Sequence, residues 1–104
     1  MKISVIIVSY NCKAFLDYCL QSVSKALKQI DSEILVIDNC STDGSVEYLK
    51  SKKYGLKIIE NKKNLGFSKA NNKAAKLAKG EYLFFLNPDT IIPEDLIDSF
   101  LKRS

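Results

Sequence analysis

Three short polar clusters in this sequence bring together residue types suited to a phosphorylated ligand: Ser9-Tyr10-Asn11, Asp38-Asn39 and Asn87-Pro88-Asp89. Tyr10 offers a flat face on which a nucleobase stacks, an interaction worth about 1–3 kcal/mol per base in nucleic-acid binders. Its plain structural role would be a partly buried aromatic edge. Asp38, acceptor-only when ionised, suits the N–H of a pyrimidine base or a ribose hydroxyl, or else the backbone N–H groups of its own loop. Asp89 supplies a hard anionic oxygen for Mg²⁺ or Mn²⁺ bridging a diphosphate, on a turn that Pro88 stiffens. The alternative for Asp89 is a turn or helix-cap aspartate.

Other chemistries are excluded by what is missing. The chain has no histidine, which removes imidazole bases and His metal ligands, and with them serine-triad, Cys-His and HExxH mechanisms. Ser9 to Leu16 contains no glycine, so neither GxGxxG nor a P-loop cradles a phosphate there. A phosphate-accepting receiver domain needs an acidic pair after its first strand, where this chain has Tyr10-Asn11. Cys12, Cys19 and Cys40 are an odd number without CxxC or zinc spacing; they read as packing residues in a reducing compartment.

The elements that must position these clusters follow from the apolar pattern. With 104 residues, 46% hydrophobic and 27% charged at net charge +4, one globular domain that forms a core without disulfides is expected. Ile3 to Val8 is a continuous β-branched run, read as a central strand buried on both faces. Phe15, Leu16, Cys19, Leu20, Val23, Leu27 and Ile30 recur at helical steps and predict a helix over Lys13 to Gln29. Ile34 to Ile37 is a second strand, ending at the turn formers Asp38 to Gly44, and a short helix through Val46, Tyr48 and Leu49 follows. Leu56 to Ile59 and Tyr82 to Leu86 are the third and fourth strands. Between them a helix over Ser68 to Lys79 ends at Gly80. Pro93 opens a last helix through Leu96, Ile97, Phe100 and Leu101.

Strands alternating with helices predict an α/β, Rossmann-like three-layer sandwich with a mainly parallel sheet and right-handed crossovers. In such a sheet ligands bind beyond the carboxyl ends of the strands, where all three polar clusters fall together with Glu60-Asn61 after the third strand. The apolar run at the start is too short for a membrane span or a signal-peptide core, which predicts a cytoplasmic location. Lys69, Lys73 and Lys76 share one helix face, read as a solvated face or as one turned to an anionic membrane or a phosphate-rich partner.

Four motifs taken in order resemble the family 2 glycosyltransferases of GT-A fold. They are Val8-Ser9-Tyr10-Asn11, Val36 to Ser45, Asn64-Leu65-Gly66-Phe67-Ser68 with Asn71-Asn72, and Phe85-Leu86-Asn87-Pro88-Asp89-Thr90. The Leu-Gly-Phe and Asn-Pro-Asp-Thr variants are most similar to the rhamnosyltransferase-type branch. The resemblance implies inverting transfer of a sugar from a UDP- or dTDP-type nucleotide-diphospho-sugar to a glycan or lipid-linked acceptor, in polysaccharide or cell-surface glycan synthesis. No nucleic-acid partner is implied, and a place at the inner membrane surface is.

By the same resemblance Ser9, Tyr10, Asn11, Asp38, Asn71, Asn87 and Asp89 contact the nucleotide, and Asn87-Pro88-Asp89 is the DxD-type motif with Asp89 on Mg²⁺ or Mn²⁺. The chain departs from the family at Asn87, where an aspartate is common, and at Asn71, where many relatives carry arginine. Family members run well past twice this length. Residues 1–104 therefore correspond to the nucleotide-sugar half, and the acceptor half, with the general base, is expected after Ser104. Exposed apolar surface at Leu83, Phe84 and Leu96 to Leu101, and self-association through it, follow from that expectation. A rival from another class is a non-catalytic nucleotide-binding or interaction module with the same fold.

Overall fold

A computed structural model describes residues 1–51 and 54–103. Eight elements alternate along the chain: β1 (Ile3–Ser9), α1 (Lys13–Ala26), β2 (Ser32–Asp38), α2 (Ser45–Ser51), β3 (Leu56–Glu60), α3 (Phe67–Leu77), β4 (Tyr82–Leu86) and α4 (Leu96–Lys102). The strands form one all-parallel sheet in the order β3-β2-β1-β4. The expected α/β architecture is therefore present, and β1 is an interior strand, its seven residues buried.

Alternation along β1 sorts the core into two layers. Ile3, Val5 and Ile7 meet Leu16, Cys19, Leu20 and Val23 of α1, Leu49 of α2 and Ile97 of α4. Ile6 and Val8, with Leu35 and Ile37 of β2, meet Ala70 and Ala74 of α3, and the partly buried Ile59 and Ala78 pack alongside. Three helices thus cover one face and α3 covers the other. The chain steps outward from β1 to β2 to β3, then crosses back to place β4 on the far side of β1. The strand order reverses between β1 and β4, and a ligand crevice is expected there.

Several element ends differ from the sequence-based expectation. α1 stops at Ala26 rather than Gln29, because Ile30 N–H returns to the Leu27 carbonyl and Gln29 takes φ 67°; Leu27 stays buried as part of the turn. Pro93 lies before α4 and accepts the Leu96 N–H in a turn. α3 ends at Leu77, and Ala78 is already extended. Gly80 therefore does not end the helix. It lets two chain segments touch, since a Cβ there would lie 2.4 Å from Ser4 N and 2.6 Å from Ile3 C. Of the cysteines, Cys19 packs in the core as expected, whereas Cys12 is half-buried and Cys40 is exposed with φ 66°.

One buried charge pins the end of the sheet remote from the polar clusters. Glu33 of β2 is 6% exposed and sits beside Ser4 in the β1 register. Its Oε2 accepts from Ser4 Oγ at 2.5 Å and from Lys79 N–H at 2.6 Å, and Oε1 pairs with Lys57 Nζ at 2.7 Å. Ser4 Oγ in turn accepts from Gly80 N–H at 2.8 Å. Burial alone would raise the Glu33 pKa, but the Lys57 ammonium, the Lys79 N–H and the Ser4 hydroxyl outweigh it and lower the carboxyl to about 2. The apolar surface expected near β4 and α4 is present: Leu83, Leu96 and Phe100 are exposed, while Phe84 is half-buried against the core.

Candidate functional site

The carboxyl ends of β1, β2 and β4 surround a cavity of about 520 Å³ at the reversal of strand order. Tyr10 follows β1, and Asn87, Pro88 and Asp89 follow β4, so the two sides of the crevice come from the neighbouring strands β1 and β4. Tyr10 is 51% exposed, leaving a ring face open to a ligand. Asn87 and Asp89 are both exposed, and among the described residues Asp89 is the one carboxylate lining this cavity.

Four further expected site residues lie outside the cavity lining. Ser9 is fully buried; its hydroxyl lies 3.2 Å from Cys12 Sγ and its carbonyl accepts the Asn39 N–H at 2.8 Å. Asn11, at φ 51°, ties the loop after β1 to the loop after β2: its N–H donates to Ser41 Oγ at 3.0 Å and its Oδ1 accepts Thr42 N–H at 2.7 Å. Asp38 is 1% exposed and holds its own loop, accepting from Ser41 N–H at 2.8 Å and Ser41 Oγ at 2.6 Å. Both of its carboxylate oxygens are bonded within that loop. Asn71 is half-buried on α3, one turn beyond Phe67.

The cavity also gathers residues that the sequence pattern does not single out. Phe15 and Phe67 line it with Tyr10, each more than half exposed. Phe15 counts as core in the α1 periodicity, yet the buried stripe runs through Leu16, Cys19, Leu20 and Val23, leaving Phe15 at the stripe's edge and over the crevice. Phe67 starts α3 directly after Gly66, whose φ of 80° turns the chain into the helix.

Asn39 is a hub behind these rings. Its Nδ2 donates to the Gly66 carbonyl at 3.3 Å, and its Oδ1 accepts from Asn61 Nδ2 at 2.8 Å and Leu65 N–H at 3.4 Å. Asn61 Oδ1 accepts from Lys73 Nζ at 2.6 Å. The loop carrying Phe67 is thereby fixed to the end of β2. The sequence signal for this hub is a pair of asparagines directly after adjacent strand ends.

Asp43 fixes the opposite wall. It accepts Lys13 N–H at 3.0 Å, at the start of α1, and both the N–H and the hydroxyl of Ser45, at the start of α2. Its carboxyl is held below the ordinary range because the bonds from Ser45 and Lys13 outweigh its burial. Burial pushes the Cys12 thiol up, so Cys12 contributes a neutral wall and no thiolate nucleophile.

A divalent ion fits this arrangement only as a shared ligand set. Among the described residues no group of three or more His, Cys, Asp or Glu converges on a metal position. The exposed Asp89 carboxylate, with the Asn87 amide oxygen two residues away, matches hard ions that keep waters and recruit phosphate oxygens.

Residues 4–103 match the family model described as "Glycosyl transferase family 2". The chain belongs to this family. Poly(ribitol-phosphate) beta-glucosyltransferase of Bacillus spizizenii is 38% identical over 102 residues, covering 93% of this chain and 16% of that protein. The structure of Staphylococcus aureus TarS 1-349 in complex with UDP-GlcNAc is 30% identical and superposes with TM-score 0.89, over 98% of this chain and 30% of that one. The Pyrobaculum calidifontis mannosyltransferase PcManGT, in complex with GDP-Man and Mn²⁺, has TM-score 0.82 at 24% identity over 90% of this chain and 29% of that one, a likeness of fold. This family 2 chain thus spans about a third or less of the length of these relatives.

Proposed function

We propose that this chain forms the donor-binding part of an inverting glycosyltransferase that moves a sugar from a UDP- or dTDP-type nucleotide-diphospho-sugar to an acceptor hydroxyl in polysaccharide or cell-surface glycan synthesis. The observation that carries the reading is the cavity at the reversal of strand order, which Tyr10 lines from the end of β1 and Asn87 and Asp89 line from the end of the adjacent β4. Tyr10 stacks on the base, and Asn87 serves the ribose or diphosphate by hydrogen bonding. Asp89 holds Mg²⁺ or Mn²⁺ together with the diphosphate oxygens. When bound, such an ion supplies Lewis-acid stabilisation of charge on the leaving diphosphate.

Ser9, Asn11 and Asp38 act from behind, fixing the loops that carry the site. The base that deprotonates the acceptor is assigned outside this cavity, because its carboxylate Asp89 is committed to the diphosphate and the Cys12 thiol stays protonated.

Isothermal titration with UDP, dTDP and GDP, with and without Mn²⁺, tests this. The expected result is binding of the nucleoside diphosphates that tightens with Mn²⁺. Asp89→Ala should abolish the Mn²⁺ enhancement without changing the melting temperature. A nucleotide affinity indifferent to Mn²⁺ and to Asp89→Ala would refute the metal assignment. Absence of any nucleotide binding would refute the donor-site reading and favour the non-catalytic interaction module.

A further inference from the structure

The charge of this chain is segregated. Residues 61–80 contain six lysines and no acid, whereas the rest of the sequence carries ten basic and twelve acidic residues. One segment therefore holds +6 and everything else sums to −2. That segment is the loop after β3, the helix α3 and the residues that follow it. Since α3 is the one helix on its side of the sheet, a whole face of the molecule is cationic.

These charges are open. Lys62, Lys63, Lys69, Lys73, Lys76 and Lys79 are all exposed. Lys73 donates to Asn61 Oδ1, and among the described residues none of the six pairs with a carboxylate. Outside this segment four lysines do pair with carboxylates: Lys2 with Glu81, Lys50 with Glu60, Lys57 with Glu33 and Lys102 with Asp98. Like charges held together without counterions repel, and an anionic partner relieves that repulsion.

We propose that the α3 face docks on the headgroups of an anionic lipid bilayer. Three features favour a bilayer over a soluble polyanion. All six cations are lysines, point charges suited to a diffuse field rather than to bidentate recognition of single phosphates. Lys69, Lys73 and Lys76 stand on α3, the helix that covers this side of the sheet, with Lys62 and Lys63 in the loop before it and Lys79 just after it, so the charges spread over a face rather than converge on one point. Exposed apolar side chains accompany them: Leu77 at the end of α3 and Phe85 of β4. Phe85 pairs in register with Ile6, which packs under α3, so this ring opens on the same sheet face. Cationic and apolar groups on one face are the mark of an interfacial surface. Among the described residues no helix is long and apolar enough to span a membrane, so the contact is peripheral.

Co-sedimentation of the chain with vesicles tests this independently of nucleotide binding. Vesicles of phosphatidylcholine containing a third phosphatidylglycerol should bind the chain at low salt and release it as salt rises, while pure phosphatidylcholine should not bind. Each lysine near such a surface is worth about five-fold in affinity. Lys62→Gln/Lys63→Gln/Lys69→Gln/Lys76→Gln should therefore lose roughly a hundred-fold or more, with an unchanged circular-dichroism spectrum. Removing four charges from the other face, in Lys25→Gln/Lys28→Gln/Lys102→Gln/Arg103→Gln, should cost far less. Equal loss in both variants, equal binding to neutral vesicles, or binding to soluble polyphosphate without binding to vesicles would each overturn the proposal.

Discussion

Glu33→Gln isolates the buried charge that joins the starts of the strands. The carboxyl lies at about 2 in the folded protein against an ordinary 4.5. That difference corresponds to roughly 3 kcal/mol of stability linked to ionisation. Because the folded value is depressed, this contribution is fully present above about pH 4.5 and is lost as pH falls toward 2. Glutamine stands in for the protonated acid: it keeps the shape and removes the charge that Lys57, Lys79 N–H and Ser4 address. The variant should be less stable than wild type by roughly 3 kcal/mol at pH 7, with the gap shrinking by more than half at pH 3 and to under about 1 kcal/mol at pH 2. Urea unfolding followed by circular dichroism at each pH measures the difference. A gap that stays constant with pH, or one below about 1 kcal/mol at pH 7, would refute the reasoning. Glu33 lies at the far end of the sheet from Tyr10, so nucleotide affinity should not change.

Tyr10→Ala should weaken UDP binding by about 1–3 kcal/mol through loss of the stacking face, with little effect on folding because the ring is half exposed; an unchanged dissociation constant by calorimetry would remove the stacking role. Gly80→Ala should destabilise by about 1–3 kcal/mol, the usual cost of overpacking, since the new Cβ meets Ser4 and Ile3 backbone that cannot swing aside. A melting temperature equal to wild type would count against that close approach.

Much of the architecture is legible in the sequence because β-branched runs such as Ile3 to Val8 have few alternatives to a buried parallel strand. Tyr10, Asn87 and Asp89 are legible for a related reason, as polar residues that end such strands. What escapes the pattern is whatever depends on a partner distant in sequence. Gly80 looks like a helix stop because its contact with Ser4 comes from another strand. Phe15 fits the helical period and still faces the crevice, since period alone does not fix the edge of a stripe. Asp38 reads as a ligand group or a loop holder, and its bonds from Ser41 depend on a loop shape that the pattern does not give. The lysine face is visible as composition, but its opposition to three helices on the other layer requires the crossover direction of α3.

The placement of β4 beside β1 has a consequence for how the chain acquires its shape during synthesis. Every strand pair is parallel and reached by a crossover, so no hairpin is available to form early. β1 leaves the ribosome first, yet one of its long edges is completed only by β4, and the Gly80 to Ser4 bond spans 76 residues. At 5–20 residues per second that interval lasts on the order of 4–15 s, during which one backbone edge of a mostly apolar strand waits uncovered. Slow translation between β1 and β4 should therefore lengthen the window in which nascent chains need a chaperone, and a circular permutant that places β4 immediately before β1 should shorten it.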